Sequence, residues 1–321
     1  MKPKIAVTDD WQGIARSSAD WTALEARAEV TFFRAAFADE DAAADGLAPF
    51  DIIMSMRERT PFPESLIARL PRLRMLSVTG SRNRSVDRAA LAARGIVVTR
   101  TDAGEDGSAT AELALALMLA AARRVAAGDA AIRAGAFQEA IPAGMTLRGR
   151  TLGLIGLGRL GARMAGYGQA LGMRLLAWSP NLTPDRAAAG GATWATKDEL
   201  LGAADVVSLH MVLAPGTIGL IGARELGLMR PGAILVNTSR GPLVEEGALL
   251  AALAARRIVA ALDVYDREPL PADHPLRTAP NTVLTPHLGY CVQENFEVFY
   301  RQSIENVLAF LDGAPIRPLT A

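Results

Sequence analysis

Residues 151–161 constrain this chain more than any other stretch. Thr151-Leu152-Gly153-Leu154-Ile155 is a short apolar run, followed at once by Gly156-Leu157-Gly158-Arg159-Leu160-Gly161 and then by an amphipathic pattern. A Gly-x-Gly-x-x-Gly turn between a strand and a helix has a mechanical reading. Gly156 permits the tight turn, Gly158 lets a pyrophosphate approach the backbone, and Gly161 lets helix and strand pack closely. Arg159 and Leu160 open the helix, whose first N–H groups and positive dipole end face the phosphates. The segment reads as a dinucleotide cradle; a tight turn that binds nothing is the plain alternative.

The flanks support an α/β chain. Strands are expected at 4–8, 30–33, 51–55, 74–78 and 96–98, with helices at 63–70 and 86–94 between them. A long helix is expected at 108–125. A second alternating series then begins, with strands at 151–155, 174–178, 205–209, 233–237, 258–262 and 282–284, helices at 159–171 and 245–255, and a last helix at 292–311. Such alternation predicts parallel sheets covered by helices. Gly95 fits a helix C-cap, and Thr183-Pro184 fits an N-cap followed by proline at the first helical position.

Composition narrows the partners. The 321 residues carry 34 Lys plus Arg against 34 Asp plus Glu. No basic surplus points to nucleic acid or to an anionic membrane. The most apolar stretch, 113–122, is about half of what a membrane span needs, and Glu112 and Arg123 close it. Together with the single cysteine, Cys291, which reads as a small packed hydrophobe, this predicts a soluble, cytoplasmic protein without an internal disulfide. Three scattered histidines and one cysteine form no metal-ligand spacing, so no metal is expected.

Three polar residues stand just beyond apolar strands, where ligands bind in open parallel sheets. Arg240 follows Ile234 to Ser239 and precedes Gly241; a guanidinium can hold a carboxylate bidentately and polarise a ketone oxygen. Glu268 lies in Asp263-Val264-Tyr265-Asp266-Arg267-Glu268-Pro269, and His287 in Thr285-Pro286-His287-Leu288-Gly289. Each alone has a bland reading as a loop residue. Together they make a working set for reduction of a 2-keto acid: Arg240 as anion clamp, His287 as proton donor, and Glu268 as the acid that favours the imidazolium. The cofactor supplies the hydride. His210, at the end of the strand 205–209, either lines the cofactor cleft or is structural. His274 reads as a loop residue.

The choice between NAD and NADP stays open. An acid at the end of the second strand usually binds the ribose 2′-hydroxyl of NAD. Here the strand ends Ala177-Trp178-Ser179-Pro180-Asn181, and no acid occurs until Asp185. Ser179, Asn181 and Thr183 could donate to a 2′-phosphate and Arg186 could supply charge, or all four are turn residues.

With these motifs in order, the chain resembles the D-isomer-specific 2-hydroxy acid dehydrogenases over nearly its whole length. The resemblance rests on Leu147-Arg148-Gly149, the glycine turn 156–161, Asn237-Thr238-Ser239-Arg240-Gly241, the segment 263–269 and Thr285 to Gly289. It implies two doubly wound parallel-sheet domains, with a Rossmann cofactor domain (102–289) inserted into a flavodoxin-like substrate domain (1–101 and 290–321). It also implies a cleft that closes between them and a homodimer formed through the cofactor domain. Arg240, Glu268 and His287 become the catalytic set. Asp263 is expected on the nicotinamide carboxamide, with Thr110, Thr238 and Gly289 also on the cofactor. Arg57, Gly80 and Ser81 are expected near the substrate. The loop Thr79-Gly80-Ser81-Arg82-Asn83-Arg84 departs from the Gly-x-Gly-x-Asp-Asn of many relatives and is more basic, which implies a different substrate side chain or a second anion.

The expected activity is interconversion of a small 2-keto acid and its D-2-hydroxy acid. Phosphoglycerate as substrate is less expected, because the chain ends soon after its last helix. An NAD(H)-sensing, corepressor-like binding protein is the alternative of a different class.

Overall fold

The computed structural model describes residues 2–81, 83–102 and 107–319. It forms two compact α/β units, one of Met1–Asp106 with Val292–Ala321 and one of Gly107–Cys291, so the second is inserted in the sequence of the first.

In the first unit, strands β1 (Lys4–Val7), β2 (Glu29–Phe32), β3 (Ile52–Ser55), β4 (Met75–Val78) and β5 (Val97–Arg100) are parallel, in the order β2-β1-β3-β4-β5. The chain winds outward from β1 to β2 and then crosses back to β3. Connections therefore leave β1 and β3 in opposite directions, and a crevice opens between their carboxyl ends. Every residue of β3 and β4 is buried, as expected of central parallel strands covered on both faces, whereas β2 alternates between half-buried and exposed as an edge. The last helix, Gln293–Leu311, returns to this unit and packs on β4, burying Phe296, Phe299, Tyr300, Ile304 and Val307.

In the second unit, β6 (Thr151–Ile155), β7 (Arg174–Trp178), β8 (Thr193–Trp194), β9 (Val206–Leu209), β10 (Ile234–Asn237), β11 (Val259–Leu262) and β12 (Thr282–Leu284) form a parallel sheet in the order β12-β11-β10-β9-β6-β7-β8. This is double winding again, with its switch between β6 and β9. Alternate strand residues feed two cores. Leu152, Leu154, Val206 and Ile234 pack with Leu117, Met118 and Met164 on one face; Ile155, Val207, Leu235 and Leu262 pack with Leu200, Leu249 and Leu253 on the other.

The structure differs from expectation at three points. The helix expected at 108–125 is two helices, Ser108–Ala122 and Val125–Arg133, because Arg124 adopts a left-handed φ of 57°. The first helix buries a small-residue face of Ala109, Ala111, Ala114 and Ala121, while the second buries nothing. Strand β8 was not expected; it is two exposed residues long, too short to show alternation. Three short helices, Ala15–Ser18, Thr22–Arg27 and Glu40–Leu47, also carried no clear period, although Asp39 caps the last by accepting from the Ala42 N–H at 2.8 Å. The cap at Thr183 is present, its hydroxyl accepting from the Arg186 N–H, and Gly95 takes a φ of +66° just past its helix.

Candidate active site

The glycine turn follows β6, with Gly156 and Gly161 buried and Gly158 and Arg159 exposed between them. Gly156 has φ +100°, and a Cβ there would lie 2.6 Å from the carbonyl oxygen of His210 at the end of β9. A Cβ on Gly161 would lie 2.0 Å from the Gly156 carbonyl oxygen. Both contacts are with backbone and cannot give way, so glycine is required at each position. Gly158 is the N-cap of the helix Arg159–Ala170, and no side chain caps that end. Two buried polar atoms at neighbouring strand ends have no hydrogen-bond partner: Nδ1 of His210 and the Thr238 hydroxyl. An unsatisfied buried group costs about 1–3 kcal/mol. A helix N-terminus approached by a side-chain-free turn, with orphaned polar groups beside it, fits a dinucleotide. The other ring nitrogen of His210 shares a 2.9 Å hydrogen bond with the Ser208 hydroxyl. Burial pushes the His210 imidazole down to about 4, so it is neutral at physiological pH.

Arg240 follows β10 through an Asx turn. The Asn237 side chain accepts from the Ser239 N–H (3.0 Å) and donates to the Arg240 carbonyl (2.8 Å). Gly241 then passes against the chain at Tyr265, where a Cβ would lie 2.1 Å from the Tyr265 carbonyl carbon. This close approach brings the Arg240 loop to the Glu268 loop. Glu268 accepts from the Tyr265 N–H at 2.9 Å through one carboxylate oxygen and from His287 Nδ1 at 2.5 Å through the other. Both side chains of that pair retain 28% exposure, enough for a ligand to reach them. Burial works to raise the Glu268 carboxyl, but the hydrogen bond and charge of His287, the Tyr265 N–H and the charge of Arg240 outweigh it and hold it below its ordinary value. Arg240, Glu268 and His287, far apart in sequence, are thus one electrostatic group.

His287 sits in a braced loop with a left-handed φ of 54°, a costly conformation for a non-glycine residue. Its N–H donates to the Asp263 carbonyl at 2.9 Å. The Asp263 carboxylate, fully buried, accepts from the Thr285 hydroxyl (2.7 Å), the Leu288 N–H (2.7 Å) and the Gly289 N–H (2.9 Å). Burial raises this carboxyl, and those donors and the His287 charge only partly offset it. Asp263 was expected on the cofactor carboxamide; in the structure its carboxylate clamps the residues on both sides of His287. Thr110 lies beside it, donating its hydroxyl to the Gly289 carbonyl at 2.8 Å.

The remaining expected residues fall elsewhere. Ser179 and Asn181 follow β7, and Arg186 donates to the Asn181 carbonyl at 2.9 Å. Arg57, Gly80 and Ser81 belong to the first unit. There the Arg57 N–H donates to the Thr79 hydroxyl at 2.8 Å, and its guanidinium lies over Gly80, where a Cβ would come within 2.0 Å. Arg82, in the same loop, lies outside the described residues. His274 bonds Glu246 at 3.2 Å, away from the set. Sequence reasoning missed Asn237, Tyr265 and Thr285 as supports. An Asn two residues before a serine at a strand end was a usable Asx-turn signal; the other two had none. Among the described residues no group of three or more His, Cys, Asp or Glu is placed to hold a metal, and no helix is long and apolar enough to cross a membrane.

Residues 115–289 match the model of the D-isomer specific 2-hydroxyacid dehydrogenase, NAD binding domain. A glyoxylate reductase of Aeropyrum pernix is 39% identical over 256 residues, which cover 77% of this chain and 76% of that protein. A D-3-phosphoglycerate dehydrogenase of Archaeoglobus fulgidus is 36% identical over 82% of this chain, but the match spans only 50% of the relative. The crystal structure of a phosphoglycerate oxidoreductase from Vibrio cholerae superposes with a TM-score of 0.91 at 37% identity, covering 97% of this chain and all of that one. The chain belongs to the D-isomer specific 2-hydroxyacid dehydrogenases, a family of NAD-binding oxidoreductases.

Proposed function

We propose that this protein interconverts a small 2-keto acid and its D-2-hydroxy acid, with Arg240, Glu268 and His287 as its catalytic residues. The observation that carries the reading is the Glu268–His287 hydrogen bond of 2.5 Å, with the Arg240 charge acting on the same carboxylate. Arg240 holds the substrate carboxylate and polarises the keto oxygen. His287 gives a proton to that oxygen during reduction and takes it back during oxidation. Glu268 orients the imidazole through Nδ1, leaving Nε2 for the substrate. A bound nicotinamide supplies or accepts the hydride. Gly156, Gly158, Arg159, Leu160 and Gly161 would hold its pyrophosphate, with Thr110, His210, Thr238, Asp263 and Gly289 around the rest of the dinucleotide.

Both NAD and NADP are admitted in this reading. No carboxylate directly follows β7 to repel a 2′-phosphate, and Ser179, Asn181 and Arg186 stand there instead. Arg57, Gly80 and Ser81 are assigned to the substrate, in a substrate domain formed by the first unit. Glyoxylate and phosphoglycerate-derived acids are the substrates named by relatives. The basic residues Arg57, Arg59 and Arg84 favour an acid with a second anionic group. The protein is read as cytoplasmic and as a homodimer through the cofactor domain. The helix Val125–Arg133 buries no residue, and Val125, Ile132 and Phe137 are 55%, 57% and 66% exposed, an apolar surface that a second copy would cover.

The deciding experiment follows NADH and NADPH oxidation with glyoxylate, hydroxypyruvate, phosphohydroxypyruvate and larger 2-keto acids. Turnover with at least one of them is expected. Tight NADH binding without turnover on any would overturn the catalytic reading in favour of an NAD(H)-sensing role.

A further inference from the structure

The geometry points to Tyr265 as a positioning residue that fixes the Glu268–His287 pair, an inference that rests on the catalytic reading above. Tyr265 is 8% exposed and lies where the three loops of the site converge. Its N–H donates to Glu268 Oε1 at 2.9 Å. Its phenol donates to the carbonyl of Thr285 at 2.9 Å, two residues before His287. Its backbone is the surface against which Gly241, next to Arg240, is pressed. One residue therefore touches the carboxylate with its main chain and the histidine loop with its side chain.

The phenol suits that task. Burial raises it first, and the charges of Asp263 and Glu268 raise it further, so it remains a protonated donor across the working range. Asp263 clamps residues 285, 288 and 289 from one side, and the phenol holds the Thr285 carbonyl from the other. The left-handed backbone of His287 needs such support, because a strained residue persists only where its surroundings over-determine it. A loop released at the Thr285 carbonyl would let the imidazole drift from Glu268, and a sub-ångström drift is enough to weaken proton transfer.

Tyr265→Phe removes only the phenol oxygen and keeps the packed ring. Measurements on this variant, wild type and a double variant, with NADH and the best 2-keto acid, test the role. In Tyr265→Phe, kcat should fall roughly five- to tenfold, the scale of one lost hydrogen bond, with KM and the NADH dissociation constant within about twofold of wild type. In a Glu268→Gln background the same change should alter kcat less than about twofold, since the partner it positions is already lost. A variant with wild-type kcat would overturn the inference, as would one that fails to fold or loses only thermal stability. Multiplicative effects in the double variant would overturn it too. Absence of turnover in wild type would instead defeat the catalytic reading, and this inference with it.

Discussion

In the five-stranded sheet, β1 is followed by Thr8 and Asp9; in the seven-stranded sheet, β6 is followed by Gly156. Both positions stand at a switch point, where the chain leaves adjacent strands in opposite directions. Asp9 is 4% exposed and has a left-handed φ of 62°, and its carboxylate takes the hydroxyls of Thr8 and Thr60, both at 2.9 Å. Thr60 comes from the loop after β3, so these bonds close the crevice between β1 and β3 from within. At the other switch point there is no side chain to close anything. Gly156 nearly touches the His210 backbone, and the polar atoms nearby, His210 Nδ1 and the Thr238 hydroxyl, are left without partners. The same winding gives one crevice bridged by its own side chains, although Ser55 Oγ at the end of β3 and Trp11 Nε1 also lack partners, and one crevice without such a bridge. Architecture places a possible site; residue chemistry at the strand ends decides whether it is one.

That contrast can be broken at either end. The largest effect is expected for Gly161→Ala, whose Cβ would meet the Gly156 carbonyl oxygen at 2.0 Å. The backbone must shift, so NADH affinity, followed by fluorescence quenching, should fall by about a hundredfold or more, with about 1–3 kcal/mol lost from chemical denaturation. A smaller effect, with two signs, is expected for Thr238→Val. Removing an orphaned hydroxyl should leave the cofactor-free protein as stable as before or up to about 1 kcal/mol more stable, while NADH binds several-fold more weakly. A destabilised cofactor-free protein would mean that the hydroxyl is already satisfied.

On NADH affinity, the smallest effects belong to the crevice bridged by Asp9. Asp9→Ala strands the Thr8 and Thr60 hydroxyls and should cost about 1–3 kcal/mol without changing NADH affinity. Asp9→Asn keeps an acceptor and should cost little. Its pH dependence has a definite sign. Burial raises the Asp9 carboxyl above its ordinary value against the lowering effects of Thr8, Thr60 and Arg59. The folded state therefore holds this proton more tightly than the unfolded state. The contribution is fully present below the unfolded value of 3.8 and is lost as pH rises through the raised folded value. Asp9→Asn should thus gain on wild type in Tm as pH rises from about 4 to 7. A gap that widens toward acid pH would contradict the assignment.

Much of the second unit was legible because its signals are local. The glycine turn, the apolar runs and the polar residues just past them each occupy a few consecutive positions, and every strand but β8 falls where expected to within a residue or two. Arg240, Glu268 and His287 were found as strand-end residues, but their convergence depends on Gly241 pressing against Tyr265, a contact between loops that no period in the sequence encodes. Asp263 shows the same limit. It was read from sequence as part of the site, whereas its three hydrogen bonds to the His287 loop come from chain folding between β11 and β12. The break at Arg124 was missed because 108–125 has continuous helix propensity, and a single left-handed residue leaves no compositional trace. Asp9 went unnoticed for a related reason: an aspartate after a strand reads as a solvated turn until Thr60 is seen to reach it.

The central claim is that the open crevice binds the dinucleotide while the neighbouring histidine moves the proton. The most direct measurement compares kcat and the NADH dissociation constant of His287→Ala with those of wild type, on the best 2-keto acid. The account predicts a kcat lower by about a hundredfold or more with an unchanged dissociation constant. Turnover at the wild-type rate in that variant would contradict it.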